Sequence, residues 1–290
     1  MEGRIIVRGV LVGALGGLLA FIFARIFAEP VIGRAIDYES GRDNARMALD
    51  KAAGLPMGSM GPDLFSRSVQ QNVGIGIGMI LFGVAMGALF AVVYSVTVGR
   101  VGNLSPRNLA LLLAGGLFLG VYLVPFLKYP ANSPSIGHPE TIRDRAGLYL
   151  LMVACSLLFL IGAVWLGRRL APRFGNWTAS LLAAGAFIVT IGIVMWLLPS
   201  LGHLSANTAE YSVAATETPQ PLQDRSGAIL YPGFPADDLY LFRLYSVAAQ
   251  LILWATIGLC FAPLAGRLFG SSSSGPQVAH EGNLGSSAPY

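Results

Sequence analysis

The chain has 290 residues, 54% of them hydrophobic and 12% charged, with a mean hydropathy of +0.63. Soluble domains carry about 25% charged residues, so this composition points to lipid as the solvent and excludes an ordinary water-soluble domain. The net charge of +4 comes from arginines at helix ends, without a basic stripe and interleaved aromatics, which argues against nucleic-acid binding.

Taken in chain order, six stretches reach the roughly 20 apolar residues needed to cross the hydrocarbon of a bilayer. They cover about 5–28, 73–98, 109–127, 146–167, 177–198 and 244–265. The first follows Arg4 and Arg8 as a signal peptide would, but runs on to Ala28 without a small-residue cleavage site, and is read as a retained helix. The second lies in a charge-free run from Ser68 to Gly99. The third is short and carries Pro125 near its end, where a kink or a re-entrant turn is expected. Cys155 and Cys260 fall inside the fourth and sixth stretches and read as small packing residues rather than as a disulfide or zinc framework. Open strands are excluded in lipid because their backbone groups would go unpaired. The expected fold class is therefore an all-α membrane protein, a bundle of about six transmembrane helices spanning residues 1–269. The Gly/Ser-rich tail, 270–290, reads as disordered.

Loop charge gives the orientation. Arg4 and Arg8, Arg100 and Arg107, Arg168, Arg169 and Arg173, and Arg267 all fall on one side, accompanied only by the acids Glu2 and Glu281. That side is cytoplasmic under the positive-inside rule, with both termini inside. The outer loops, about 29–72, 128–145 and 199–243, hold the other thirteen carboxylates. The first of these loops is charged and compatible with helix, and the last is Thr/Ser/Pro-rich and expected to be irregular.

Small residues recur at spacing four: Gly9, Gly13 and Gly17; Gly74 and Gly78; Gly83 and Gly87; Gly116 and Gly120. Such spacing lets helix backbones approach closely in lipid, either within the bundle or between the subunits of a homo-oligomer. Ionisable and amide groups at membrane depth are few. Arg25 lies one turn inside the outer end of helix 1, Lys128 ends helix 3, Arg243 starts helix 6 and Gln250 sits about two turns into it. Each is a candidate for a transport path or for structural pairing. Candidate metal ligands lie on the outer side: Glu29, Asp37, Glu39, His138 and Glu140, with Met57 and Met60 as softer donors. None of these spacings is specific. No Walker motif, His-Glu-x-x-His or nucleophile triad is present, so neither ATP hydrolysis nor other enzyme chemistry is expected.

Several longer stretches carry a resemblance. They are Phe27-Ala28-Glu29-Pro30 with Arg34-Ala35-Ile36-Asp37-Tyr38-Glu39; Phe65-Ser66-Arg67-Ser68-Val69-Gln70; Gly99-Arg100-Val101-Gly102 with Leu104-Ser105-Pro106-Arg107; Val124-Pro125-Phe126-Leu127-Lys128-Tyr129-Pro130-Ala131-Asn132 through Pro139-Glu140-Thr141-Ile142; and Phe242-Arg243-Leu244 with Gln250 and Trp254. With these the chain resembles the CbtA family of cobalt transporter subunits, from helix 1 to helix 6 and excluding the tail. The resemblance implies a multi-pass subunit of a cobalt uptake system in the cell membrane, linked with cobalamin supply. It also implies a small single-helix partner of the CbtB type, Co²⁺ as the transported ion, and no permanently bound cofactor. The sequence departs from the family pattern in lacking histidines in the first outer loop, in placing His138 where an acid is expected, and in a Thr/Pro-rich insertion before Phe234. The combined reading is a permease subunit that captures the cation at an acidic outer face and passes it through the bundle. The alternative is a structural or assembly subunit that scaffolds a partner and transports nothing.

Overall fold

A computed structural model describes residues 2–55, 73–102, 104–134, 136–211 and 217–270. Among the described residues, five helical stretches are long and apolar enough to cross a membrane: Glu2–Ala52, Ile75–Thr97, Pro106–Lys128, Pro139–His203 and Ala236–Arg267. The fourth is a hairpin of two crossings. Gly175, at φ 76° and ψ 162°, breaks the helix within Ile142–Leu197, a conformation that glycine adopts at little cost. The limbs 142–174 and 176–197 fold together, with Met152 packed against Phe187 and Ile191 and Gly167 against Ala179 and Ala183. The chain is therefore a membrane protein whose six apolar crossings follow the order expected from hydropathy.

We number the helices α1 (Glu2–Phe23), α2 (Glu29–Ala52), α3 (Ile75–Thr97), α4 (Pro106–Leu117), α5 (Val124–Lys128), α6 (Ile142–Leu197), α7 (Ser205–Tyr211) and α8 (Ala236–Gly270). The first crossing does not stop at Ala28: α1 passes through a π-helical turn, Ala24–Ala28, into α2. The residue responsible is Pro30, which has no N–H to give the carbonyl four residues back. Glu29 N–H reaches Ala24 O instead, five residues back. The same device joins α4 to α5. A π-helical turn, Phe118–Leu123, precedes Pro125, and Val124 N–H bonds Leu119 O. The Val121 carbonyl, which Pro125 leaves without its helical donor, accepts from Tyr149 Oη on α6 at 3.4 Å. The third crossing is thus a continuous 23-residue helix with a π turn, rather than a re-entrant one. Ser105 starts it by accepting the Asn108 N–H at 3.2 Å.

The glycine pattern packs the chain against itself. α1 and α3 run antiparallel with Gly9, Gly13 and Gly17 facing Gly87, Gly83 and Met79. A Cβ built on Gly9 would lie 2.5 Å from Gly87 O, and one on Gly17 2.5 Å from Met79 O. α8 packs on α1 and α4, and Phe90, Tyr94, Ile257 and Phe261 are fully buried at the centre. The hairpin leans on α4 and α5 and presents Trp165, Trp177 and Trp196 outward, where lipid is the solvent.

Outside the membrane, α2 forms a stalk for the last outer loop. Tyr38 packs on Tyr231 and Phe234 and donates to Pro232 O at 2.8 Å. Arg34 pairs with Asp238 at 2.6 Å, at the start of α8. That loop contains a short antiparallel hairpin, β1 (Leu222–Gln223) with β2 (Ile229–Tyr231). α8 begins at Ala236, two turns earlier than the apolar run suggested, because Asp237 and Asp238 are favourable in a first helical turn. Met57, Met60 and the tail 271–290 lie outside the described residues.

Candidate functional site: outer cap and intramembrane cavity

Three of the five candidate metal ligands sit on α2 or at its start. At 3.6 residues per turn, Asp37 and Glu39 point about 200° apart, and Asp37 lies about 12 Å further along the axis than Glu29. Glu29 is buried (5% exposed) where the π turn meets α2, while Asp37 is exposed and Glu39 half-buried. Tyr38 between them faces inward. His138 and Glu140 lie across the cap, at the short helical turn that leads into α6. His138 Nδ1 accepts the Glu140 N–H at 3.2 Å, and the His138 carbonyl accepts from Thr141 Oγ1 at 2.8 Å. His138 is thereby held as a helix cap. Among the described residues, no group of three or more His, Cys, Asp or Glu side chains is placed to hold a metal ion. Asp37 and Glu140 are the exposed carboxylates of the five, and neither makes an ion pair among the described residues.

The outer side is also less acidic than a list of its carboxylates suggests. Its thirteen acids share it with eleven arginines and lysines, leaving a net −2, whereas the side expected to be cytoplasmic carries +6. Much of the outer charge is structural. Arg42 donates to Gln220 O at 2.5 Å, and Arg34 is spent on Asp238. Sequence reading also missed a buried carboxylate that organises the cap. Glu217, 4% exposed, accepts from Thr141 Oγ1 at 2.7 Å and Asn207 Nδ2 at 3.1 Å, and pairs with Arg145 at 3.1 Å. Its partners lie 10 to 76 residues away in sequence, so no local pattern reveals it.

The membrane-depth candidates separate by role. Arg243 is an anchor for the loop after α5: Nη2 donates to Asn132 Oδ1 at 2.9 Å and Nε to Ala131 O at 3.2 Å. Both acceptors belong to the Lys-Tyr-Pro-Ala-Asn stretch. Lys128 Nζ lies 5.6 Å from the Tyr129 ring centroid, without a carboxylate partner among the described residues. Arg25 lies within the π turn between α1 and α2. Tyr129 is buried and donates its hydroxyl to Pro199 O at 2.8 Å, and burial holds its pKa above the usual phenol value. Gln250 lines a cavity of about 240 Å³ between α1, α3 and α8, together with Gly17, Gly78, Met79, Phe82 and Leu253. No hydrogen bond to the Gln250 amide is formed by the described residues, and a Cβ on Gly78 would meet nothing within 4 Å.

The chain matches no curated protein and no solved structure. A family profile described as "Probable cobalt transporter subunit (CbtA)" matches residues 2–266, all six crossings and the cap that α2 and the outer loops build between them. The chain belongs to the CbtA family, whose members are described as probable cobalt transporter subunits.

Proposed function

We propose that this protein is the membrane-spanning subunit of a cobalt uptake system in the inner membrane, and that Co²⁺ enters at the outer cap and crosses within the helix bundle. Membership of the CbtA family over residues 2–266 is the observation that carries this reading. The energetics are compatible with it. An inside-negative potential favours inward movement by about 2.3 kcal/mol per charge per 100 mV, hence about twice that for a divalent ion. The outer carboxylates act as separate attracting points rather than as a chelating cage, because Glu29, Asp37, Glu39, His138 and Glu140 are distributed over different faces of the cap. Asp37 and Glu140 meet the arriving ion first, being exposed and without an ion pair among the described residues. Weak, serial contacts suit conduction, since an ion held too tightly would not leave.

The word subunit implies a partner. We take it to be the small single-helix CbtB-type protein that the family resemblance suggests. The reading is tested by radioactive cobalt accumulation in cells that carry both proteins, either one, or neither. Accumulation that requires this chain supports the proposal. Equal accumulation with and without it, in the presence of the partner, refutes transport and leaves the scaffold alternative.

A further inference from the structure

The α6 hairpin carries a cleft of about 400 Å³ between its limbs, near the break at Gly175. Gly167 marks where the limbs touch: a Cβ built on it would lie 3.3 Å from Ala183 Cβ. The lining is graded along the limbs. Arg168, Asn176 and Ser180 lie within about 10 Å of the break along either helix. Ala163, Val164, Ala183 and Ala184 lie about 12–18 Å from it and bring only hydrocarbon. Arg168 Nη2 donates to Val101 O, in the link between α3 and α4, which fixes the guanidinium at the cleft. Four of its five N–H groups stay available, and no carboxylate pairs with it among the described residues. Its neighbours are more committed: Arg100 Nη1 donates to Val96 O at 2.6 Å, and Arg173 lies 5.2 Å over the Phe174 ring. The two links, 99–107 and 167–177, hold five arginines and no carboxylate.

We propose that this cleft binds an anionic phospholipid, with the phosphodiester on Arg168 and the upper part of one acyl chain along the alanine-lined end. The charge is complementary: uncompensated arginines beside membrane helices favour anionic headgroups, and the guanidinium fork matches a phosphate in geometry. The grading is complementary too. A free phosphate would use only the polar end, whereas a lipid fills both ends with matching chemistry. The volume is at the low end of the roughly 300–1,000 Å³ of small-ligand clefts, which suits a headgroup and upper chain rather than a whole lipid. Trp165 and Trp177, next in sequence to the lining residues Val164 and Asn176, are 63% and 77% exposed, as expected of indoles beside lipid. Because Arg168 also holds Val101, a lipid there reinforces the contact that ties the hairpin to the α3–α4 link. The proposal does not depend on the uptake reading.

The two tryptophans give the test. The full chain carrying Trp196→Phe keeps Trp165 and Trp177 beside the cleft, while Trp254, buried in the core, adds a constant background. It is reconstituted into phosphatidylcholine vesicles that contain the same low mole fraction of either acyl-brominated phosphatidylglycerol or acyl-brominated phosphatidylcholine, and tryptophan quenching is compared. Quenching by the phosphatidylglycerol should be several-fold stronger. Arg168→Gln should abolish that preference, and Arg168→Lys, which keeps the charge without the fork, should retain part of it. Ala184→Phe, which fills the apolar end from an exposed position, should weaken it without removing any charge. Arg4→Gln removes the same charge from the same arginine-rich side, away from the cleft, and should leave the preference intact. Equal quenching by the two lipids overturns the proposal. A preference that survives Arg168→Gln, or that Arg4→Gln removes as fully, means diffuse attraction to the surface and overturns the site. A preference untouched by Ala184→Phe overturns the placement of the chain in the cleft.

Discussion

Replacing Gly13 by alanine puts a methyl group where no space exists. The added Cβ would overlap the Gly83 carbonyl oxygen and sit 2.8 Å from Gly87 Cα and 3.0 Å from Gly87 N. Ordinary carbon contacts are about 3.5–4.0 Å, so α1 and α3 must part by roughly 1 Å along a seam that includes Gly9 and Gly17. A gap of that size forfeits a quarter to a half of each dispersion contact, and overpacking typically costs about 1–3 kcal/mol. Alanine at Gly78, on the same helix pair but facing the cavity, meets nothing and gains about 0.5–1 kcal/mol of helix propensity. Thermal unfolding of the purified full chain in one detergent, followed by tryptophan fluorescence, compares the two. Gly13→Ala should lower the midpoint by several degrees, and Gly78→Ala should leave it unchanged or raise it. Equal midpoints would refute the reasoning that backbone contact, rather than glycine content, holds this seam.

Further consequences follow from the cap. Glu217→Gln keeps an acceptor for Thr141 and Asn207 but leaves the Arg145 charge unpaired; removing one partner of a buried pair costs about 3–5 kcal/mol, discounted to about 2 because Arg145 is 28% exposed. The expected readout is faster proteolysis of the last outer loop with little change in the bundle. Arg243→Ala should release the loop at Ala131 and Asn132, seen as increased protease cutting near residue 130, and Asn132→Asp should slow that cutting by turning the hydrogen bond into a charge pair. Neutralising Asp37 and Glu140 together should raise the apparent KM for cobalt by about two- to fivefold with the maximal rate unchanged, as removal of attracting charge predicts. Asp224 gives a pH dependence: the Ser226 hydroxyl first, then backbone N–H groups of Ala228, Ser226 and Gly227, hold its carboxyl below the ordinary value of 3.8. Its depressed pKa means the turn is supported at neutral pH and loses that support only as pH falls below about 4, and Asp224→Asn should remove the dependence in hydrogen exchange of the β1–β2 hairpin.

The elements legible in the sequence are those governed by the solvent. Lipid demands apolar length, so the crossings stood out, and the arginine-rich links gave the direction expected from the positive-inside rule. Spacing-four glycines signalled close packing, and the structure adds that Gly9, Gly13 and Gly17 meet α3 of the same chain. Pro125 marked a disturbed helix. Its resolution into a π turn depended on Tyr149, 28 residues away, supplying a donor to Val121. The first outer loop reads as compatible with helix, but its continuity with α1 depends on a π turn that absorbs Pro30, which hydropathy does not reveal. The candidate metal residues illustrate the opposite difficulty: Asp37 and Glu39 are neighbours in sequence but lie on nearly opposite sides of a helix. Conversely Glu217 and Arg145, or Arg243 and Asn132, are far apart in sequence and touch in the fold. Side-chain chemistry fixes what a residue can do, and only the fold fixes what it meets.

The most direct measurement is the initial rate of radioactive cobalt influx into right-side-out membrane vesicles containing this chain and its partner subunit, at a series of imposed potentials. Influx should exceed that of vesicles lacking the chain and rise as the interior is made more negative. Identical influx with and without the chain at every potential would contradict a role in carrying the ion.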